Sequence, residues 1–165
     1  YFSDLVPKYE NLIVGRTFSF AYGMAGVRIG YMLANPELVK EMDGQITNYR
    51  LGTLPEALGV AAVTDPDHLP WLRAECERQR SFIRQSLADL DCIELYDSET
   101  NFVFGRILDG RTGDWLKAEM KKRGILIKSL APLAQASYEP YFRLTLGTEE
   151  ENRWLVEELR AVLTA

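Results

Sequence analysis

Histidine and cysteine are scarce in this sequence. A single histidine, His68, stands in the acidic turn Asp65-Pro66-Asp67-His68, and the cysteines are Cys76 and Cys92 alone. A Ser/His/Asp hydrolase or a histidine-rich metal site would have to rest on that one imidazole, so both readings are set aside. Two cysteines make no disulfide scaffold. The spacing places Cys76 on the apolar stripe of a helix and Cys92 just before a strand, both as buried small hydrophobes. Excess positive charge is also missing: 19 Lys+Arg stand against 24 Asp+Glu, a formal net charge of −5. That balance argues against nonspecific binding to nucleic acid or to an anionic membrane surface. No apolar run approaches the roughly 20 residues needed to cross a bilayer. There is no signal-peptide pattern and no initiator methionine; Tyr1-Phe2-Ser3 begins as if upstream sequence had been removed.

What is present is globular. The chain has 165 residues, 47% hydrophobic and 26% charged, enough for one domain or two small ones. The apolar run at residues 12–17 reads as a strand, and residues 27–33 as a second. The connector 18–26 is too short for a parallel crossover, so neighbouring strands here are antiparallel. Asn35-Pro36-Glu37 opens a helix to about residue 46, with proline at the first turn. Residues 53–63 form a second helix, whose Ala57, Ala61 and Ala62 allow close packing. A long helix follows over about residues 69–90, with Leu69, Leu72, Cys76, Ile83, Leu87 and Leu90 on one face. Its other face carries Arg73, Glu77, Arg80 and Arg84, a solvated charge stripe.

Strands and helices then alternate. Strands are expected at 93–96, 101–108, 125–127 and 141–146, and a helix at 112–123 closed by Gly124. Thr148-x-x-Glu151 is a capping box for the last helix. The fold class is α/β. Residues 1–64 form one domain portion and 65–165 a small two-layer α/β domain. Two uncovered apolar strands are marginal in water, so the first portion is expected to belong to a larger sheet outside this chain.

The segment that carries chemistry runs from Gly15 to Gly30: Gly-Arg-Thr-Phe-Ser-Phe-Ala-Tyr-Gly-Met-Ala-Gly-Val-Arg-Ile-Gly. It is a turn between two strands, with the hydroxyls of Thr17 and Ser19 and the guanidinium of Arg28. Hydroxyls plus an arginine suit a phosphate; the same arginine could pair with a carboxylate.

This stretch resembles the cofactor-lysine motif of the fold type I, pyridoxal-phosphate-dependent class I/II aminotransferases, closest to the histidinol-phosphate aminotransferase branch. Later landmarks fall in the family's order: Asn35-Pro36-Glu37-Leu38, Thr100-Asn101-Phe102-Val103, Gly124-Ile125-Leu126-Ile127-Lys128 and Phe142-Arg143-Leu144-Thr145-Leu146-Gly147. The likeness covers essentially the whole chain, as the C-terminal half of such an enzyme. It implies a portion of the large, mainly parallel domain at 1–64 and the small domain at 65–165. It further implies that Thr17, Ser19 and Arg28 hold the phosphate of pyridoxal 5'-phosphate. Arg143 would receive the substrate carboxylate. Lys128 stands where the histidinol-phosphate enzymes carry an arginine near the substrate's distal group. Asn101 matches an asparagine near the cleft, or else simply opens a strand. Amino-acid and 2-oxo-acid substrates, a homodimer and a cytoplasmic, biosynthetic setting follow by the same resemblance.

The departure is Phe20. The family has there the lysine that forms the Schiff base and later moves the α-proton. Phenylalanine offers neither nucleophile nor base, so this chain alone is expected to be inactive. The family's ring-stacking residue, the aspartate for the pyridine nitrogen and the phosphate-cradling helix start would all lie upstream of Tyr1. Three readings stand: an aminotransferase whose lysine has been replaced, a non-catalytic descendant that binds a phosphorylated ligand, and a free-standing α/β interaction module.

Overall fold

A computed structural model describes residues 2–45, 51–130 and 138–165. The chain divides into two units, residues 1–70 and 71–165.

In the first unit, a 3-10 segment at Phe2–Lys8, which the apolar pattern does not announce, precedes strand β1, Val14–Thr17. β1 pairs antiparallel with β2, Gly30–Leu33, as expected, in the register Val14↔Leu33 to Thr17↔Gly30. β2 starts later than the sequence suggests, because Ala25–Val27 forms a 3-10 turn instead. Helix α1, Pro36–Asp43, is opened by Asn35, whose side chain accepts a hydrogen bond from the Glu37 amide. The expected end near Ile46 lies outside the described residues. Helix α2, Thr53–Thr64, buries none of its side chains. Ala57 and Ala61 are exposed, so the close packing expected of them is not made by the described residues. Among the described residues of this unit, Val14, Phe18 and Ile29 are the buried hydrophobes, while Ile13, Tyr31, Leu33, Leu54, Val60 and Val63 stay exposed.

Helix α3, His68–Ser86, leads into the second unit. Strands β3 (Ile93–Tyr96), β4 (Phe102–Ile107), β5 (Lys128–Ser129) and β6 (Tyr141–Thr145) form an antiparallel sheet in the order β3-β4-β6-β5. Burial alternates along β4 and β6, so the sheet has one dry face. On that face Val103, Ile107, Phe142 and Leu144 meet Ile83 of α3, Leu116 and Met120 of α4 (Gly113–Lys122), and Leu155, Leu159 and Val162 of α5 (Glu149–Leu163). Thr148 makes both halves of the capping box with Glu151.

Four expectations need correction. Residues 125–127 are not a strand; pairing begins at Lys128. α3 stops at Ser86; Leu87 opens a turn, and Leu90 lies just past it. Arg80, placed on a solvated stripe, is buried, donating to the Thr100 carbonyl and pairing with Glu77. Its neighbour Gln79 is buried as well and accepts from Asn152 of α5 at 2.8 Å. Cys76 and Cys92 are free thiols only half-buried rather than core residues, and burial pushes the Cys76 thiol up. No described helix is long and apolar enough to cross a membrane.

Candidate functional site

The Gly15–Gly30 segment folds as a wide hairpin. Its neck is tight: a Cβ on Gly30 would lie 2.8 Å from the Arg16 carbonyl oxygen, so only glycine fits without moving backbone. One step beyond the β1–β2 ladder, the Phe18 amide donates to the Ile29 carbonyl at 3.2 Å. That bond brings Ser19 and Arg28 to matching places at the mouth of the hairpin, each next to a bonded residue. Phe18 is buried and its ring stacks on Tyr22, centroids 4.9 Å apart. Tyr22 stacks in turn on His68, whose Nε2 lies 2.7 Å from the Ala21 carbonyl. The chain then returns: the Gly23 amide donates to the Phe20 carbonyl and the Met24 amide to the Phe18 carbonyl.

The hydroxyls are organised. The Ser19 amide donates to Thr17 Oγ1 at 3.1 Å, and that hydroxyl donates to Ser19 Oγ at 2.9 Å. The Ser19 proton is thereby left to point at an outside acceptor. Arg28 has a left-handed backbone, φ 62° and ψ 46°, the only described non-glycine residue with positive φ. Its Nη1 donates to the Ala25 carbonyl at 2.9 Å, and it makes no ion pair among the described residues. The Ser19 hydroxyl, oriented by Thr17, and the guanidinium donors that Arg28 does not give to Ala25 are groups of the kind that bind a phosphate. Phe20 sits at the turn tip with its ring 73% exposed, and no described lysine occupies the segment.

The second set belongs to the other unit. Arg143 lies in β6, directly opposite Lys128 of β5 and Phe104 of β4. All three are on the sheet face opposite the one that packs against α3, α4 and α5. Arg143 and Lys128 make no ion pair among the described residues, although most arginines of this unit do. Like charges facing each other across a ladder are unfavourable, so an anion would relieve this pair. Arg143 Nε is buried without a hydrogen-bond partner among the described residues. Its guanidinium carbon lies 5.1 Å from the centre of the Phe102 ring. Asn101 precedes Phe102 and accepts the Leu146 amide through its carbonyl at 3.0 Å. That contact fits its strand-opening reading; its side chain makes no described hydrogen bond.

Sequence reasoning missed the aromatic floor of this face. Tyr96, Phe104 and Tyr141 stack across β3, β4 and β6, with Phe104 and Tyr141 at 5.4 Å and 7°. Hydrogen bonding to Glu94 pushes the Tyr96 phenol up to about 12. The alternation of 102, 104 and 106 against 141 and 143 is the signal that could have revealed it. Among the described residues there is no cluster able to hold a metal ion.

The model of the family "Aminotransferase class I and II" matches residues 3–159. A histidinol-phosphate aminotransferase of Anaeromyxobacter sp. (strain Fw109-5) is 35% identical over 158 residues, covering 96% of this chain and 42% of that protein. The crystal structure of the histidinol-phosphate aminotransferase from Clostridium acetobutylicum superposes with a TM-score of 0.90 at 18% identity, over 99% of this chain and 49% of that one. A histidinol-phosphate aminotransferase from Sinorhizobium meliloti, solved in complex with pyridoxal-5'-phosphate, gives 0.77 at 29% identity, over 93% of this chain and 42% of that one. The chain thus spans about two fifths of the length of the curated relatives it matches.

Proposed function

Because the chain belongs to the class I and II aminotransferases, we propose that it is the C-terminal part of a pyridoxal-phosphate-dependent, histidinol-phosphate aminotransferase-like protein. The α/β fold is that of about half of a fold type I aminotransferase. The observation that supports the reading is the hairpin mouth, where the Phe18–Ile29 backbone bond sets Ser19 and Arg28 at matching places and Thr17 orients the Ser19 hydroxyl. In this reading residues 1–64 complete the large domain, residues 65–165 are the small domain, and the intact protein is a homodimer in the cytoplasm.

The residues divide the work. Arg28 neutralises the cofactor phosphate, and the Ser19 hydroxyl, oriented by Thr17, donates to one of its oxygens. Bound pyridoxal phosphate supplies the electron sink that lets the α-proton of an amino substrate leave. Arg143 takes the substrate carboxylate with its planar fork. Lys128 meets the distal group as a point charge, and Asn101 lines the same strand end. The substrates are an amino acid or amino alcohol phosphate and a 2-oxo acid. Phe20 can neither tether the cofactor nor carry the proton, so the chain as it stands is catalytically silent. A non-catalytic binding protein is the second reading, and the exposed apolar ring of Phe20 at the turn tip favours it.

Phe20→Lys in a full-length protein separates the two. The enzyme reading expects borohydride to fix the cofactor to residue 20. It also expects transamination to rise by about 10²–10⁴-fold, the usual contribution of a placed proton carrier. Cofactor binding without a trappable link at residue 20 would leave the non-catalytic reading standing alone.

A further inference from the structure

We propose that Phe102 is a positioning residue for Arg143: its ring face holds the guanidinium at the Asn101 end of the sheet. The inference rests on the reading of Arg143 as the carboxylate receptor only for its functional meaning; the placement itself stands on geometry. Arg143 faces Phe104 in the ladder, so a side chain standing straight off the sheet would lie over that ring. Phe104 is already covered by Tyr141, in a nearly parallel stack at 5.4 Å, and by Tyr96 at 5.6 Å. On the other side stands Lys128, a like charge. The guanidinium therefore leans along the diagonal to Phe102, the residue opposite Thr145, and lies 5.1 Å from its ring centre.

A cation at that distance over a ring is attracted by the ring's negative face. The attraction asks for no acceptor, and this matters for a receptor. A carboxylate partner would fix the arginine equally well but would occupy its fork and compete with the substrate. A ring fixes the plane and leaves the in-plane N–H donors open. Nε is buried with no hydrogen-bond partner among the described residues, so no described acceptor fixes it. Phe102 is half-buried on the face opposite the packed core, which permits its exchange without unfolding the unit.

The test uses the 165-residue chain and the Nε–H resonance of Arg143. The ring should shift this proton upfield. Phe102→Leu should abolish the shift, Phe102→Tyr should restore it, and Phe104→Leu should leave it in place. In titrations with 2-oxoglutarate, Phe102→Leu should bind about threefold to tenfold more weakly than the parent, with Phe102→Tyr close to it. An unchanged resonance in Phe102→Leu, or an equal response to Phe104→Leu, overturns the proposal. If the parent shows the shift but binds no 2-oxoglutarate, the positioning by Phe102 is upheld. In that case Arg143 fails as a carboxylate receptor in this chain.

Discussion

Arg28 carries two demands that pull on one residue. Its guanidinium is the main cation at the hairpin mouth, and its backbone is left-handed at φ 62°. For an L-residue that conformation costs about 1–2 kcal/mol, which the neighbouring pairing must offset. In the proposed reading that strain sits at a phosphate-binding residue, a trade between stability and binding. Arg28→Gly should therefore separate them. Glycine relieves the strain but frees the unfolded chain by about 0.5–1 kcal/mol, so stability in urea should change by less than about 1 kcal/mol. Pyridoxal-phosphate affinity in a full-length protein should fall by roughly tenfold or more, because a charge-assisted hydrogen bond contributes about 1.5–3 kcal/mol. Unchanged affinity in equilibrium titration would remove Arg28 from the phosphate site.

At the scale of elements, helices α3 and α5 are tied by a charged clasp. Arg160 of α5 donates to both oxygens of Asp89 at 2.6 Å and to the Ser86 carbonyl at 2.7 Å. Those bonds hold the Asp89 carboxyl down at about 2, from its ordinary 3.8. A depressed carboxyl stabilises the fold above its unfolded value and loses that contribution as pH falls through the folded value. The clasp should thus be whole above about pH 4 and fail toward pH 2. Asp89→Asn should flatten the dependence of stability on pH inside that window, read by urea melts at a series of pH values. An identical acid profile in parent and variant would show that the clasp contributes nothing. Glu75, Glu149 and Glu151 are also held low by hydrogen bonds, so part of the slope will remain in the variant. Asp89 is exposed, which keeps the effect small.

Across the whole molecule, the two units differ in how much core they own. Among the described residues, the second unit buries fifteen hydrophobes in one cluster with helices α3, α4 and α5. The first, among its described residues, buries three and rests on a two-stranded sheet. A two-stranded pairing is marginal in water, whereas central strands under helices open only with the whole unit. Native-state hydrogen exchange should find the β4 and β6 amides slower than those of β1 and β2 by about two orders of magnitude or more. Comparable protection in both sheets would mean that residues 1–70 stabilise themselves better than their burial implies.

Much of this was legible in the residues. The capping box at Thr148, the Asn35-Pro36 helix start and the antiparallel β1–β2 pair follow from local rules. A cap, a fixed proline φ or a short connector acts within a few residues. The Thr17–Ser19 hydroxyl pair is local in the same way, since its members lie two residues apart. The 125–127 run was misread because a brief apolar stretch has no diagnostic period. Gly124 at φ 81° and the Ile125 amide bonded back to Met120 spend those residues leaving the helix. Leu126 ends 78% exposed. What only the tertiary structure decided is the company that distant residues keep. Arg80 is buried because the Thr100 carbonyl, 20 positions away, needed a donor. Lys128, Arg143, Phe104 and Phe102 share one face because strand register brings them there, and Arg143 leans to Phe102 because Tyr141 already covers Phe104. Register is set by packing across the sheet, which no local stretch of sequence contains.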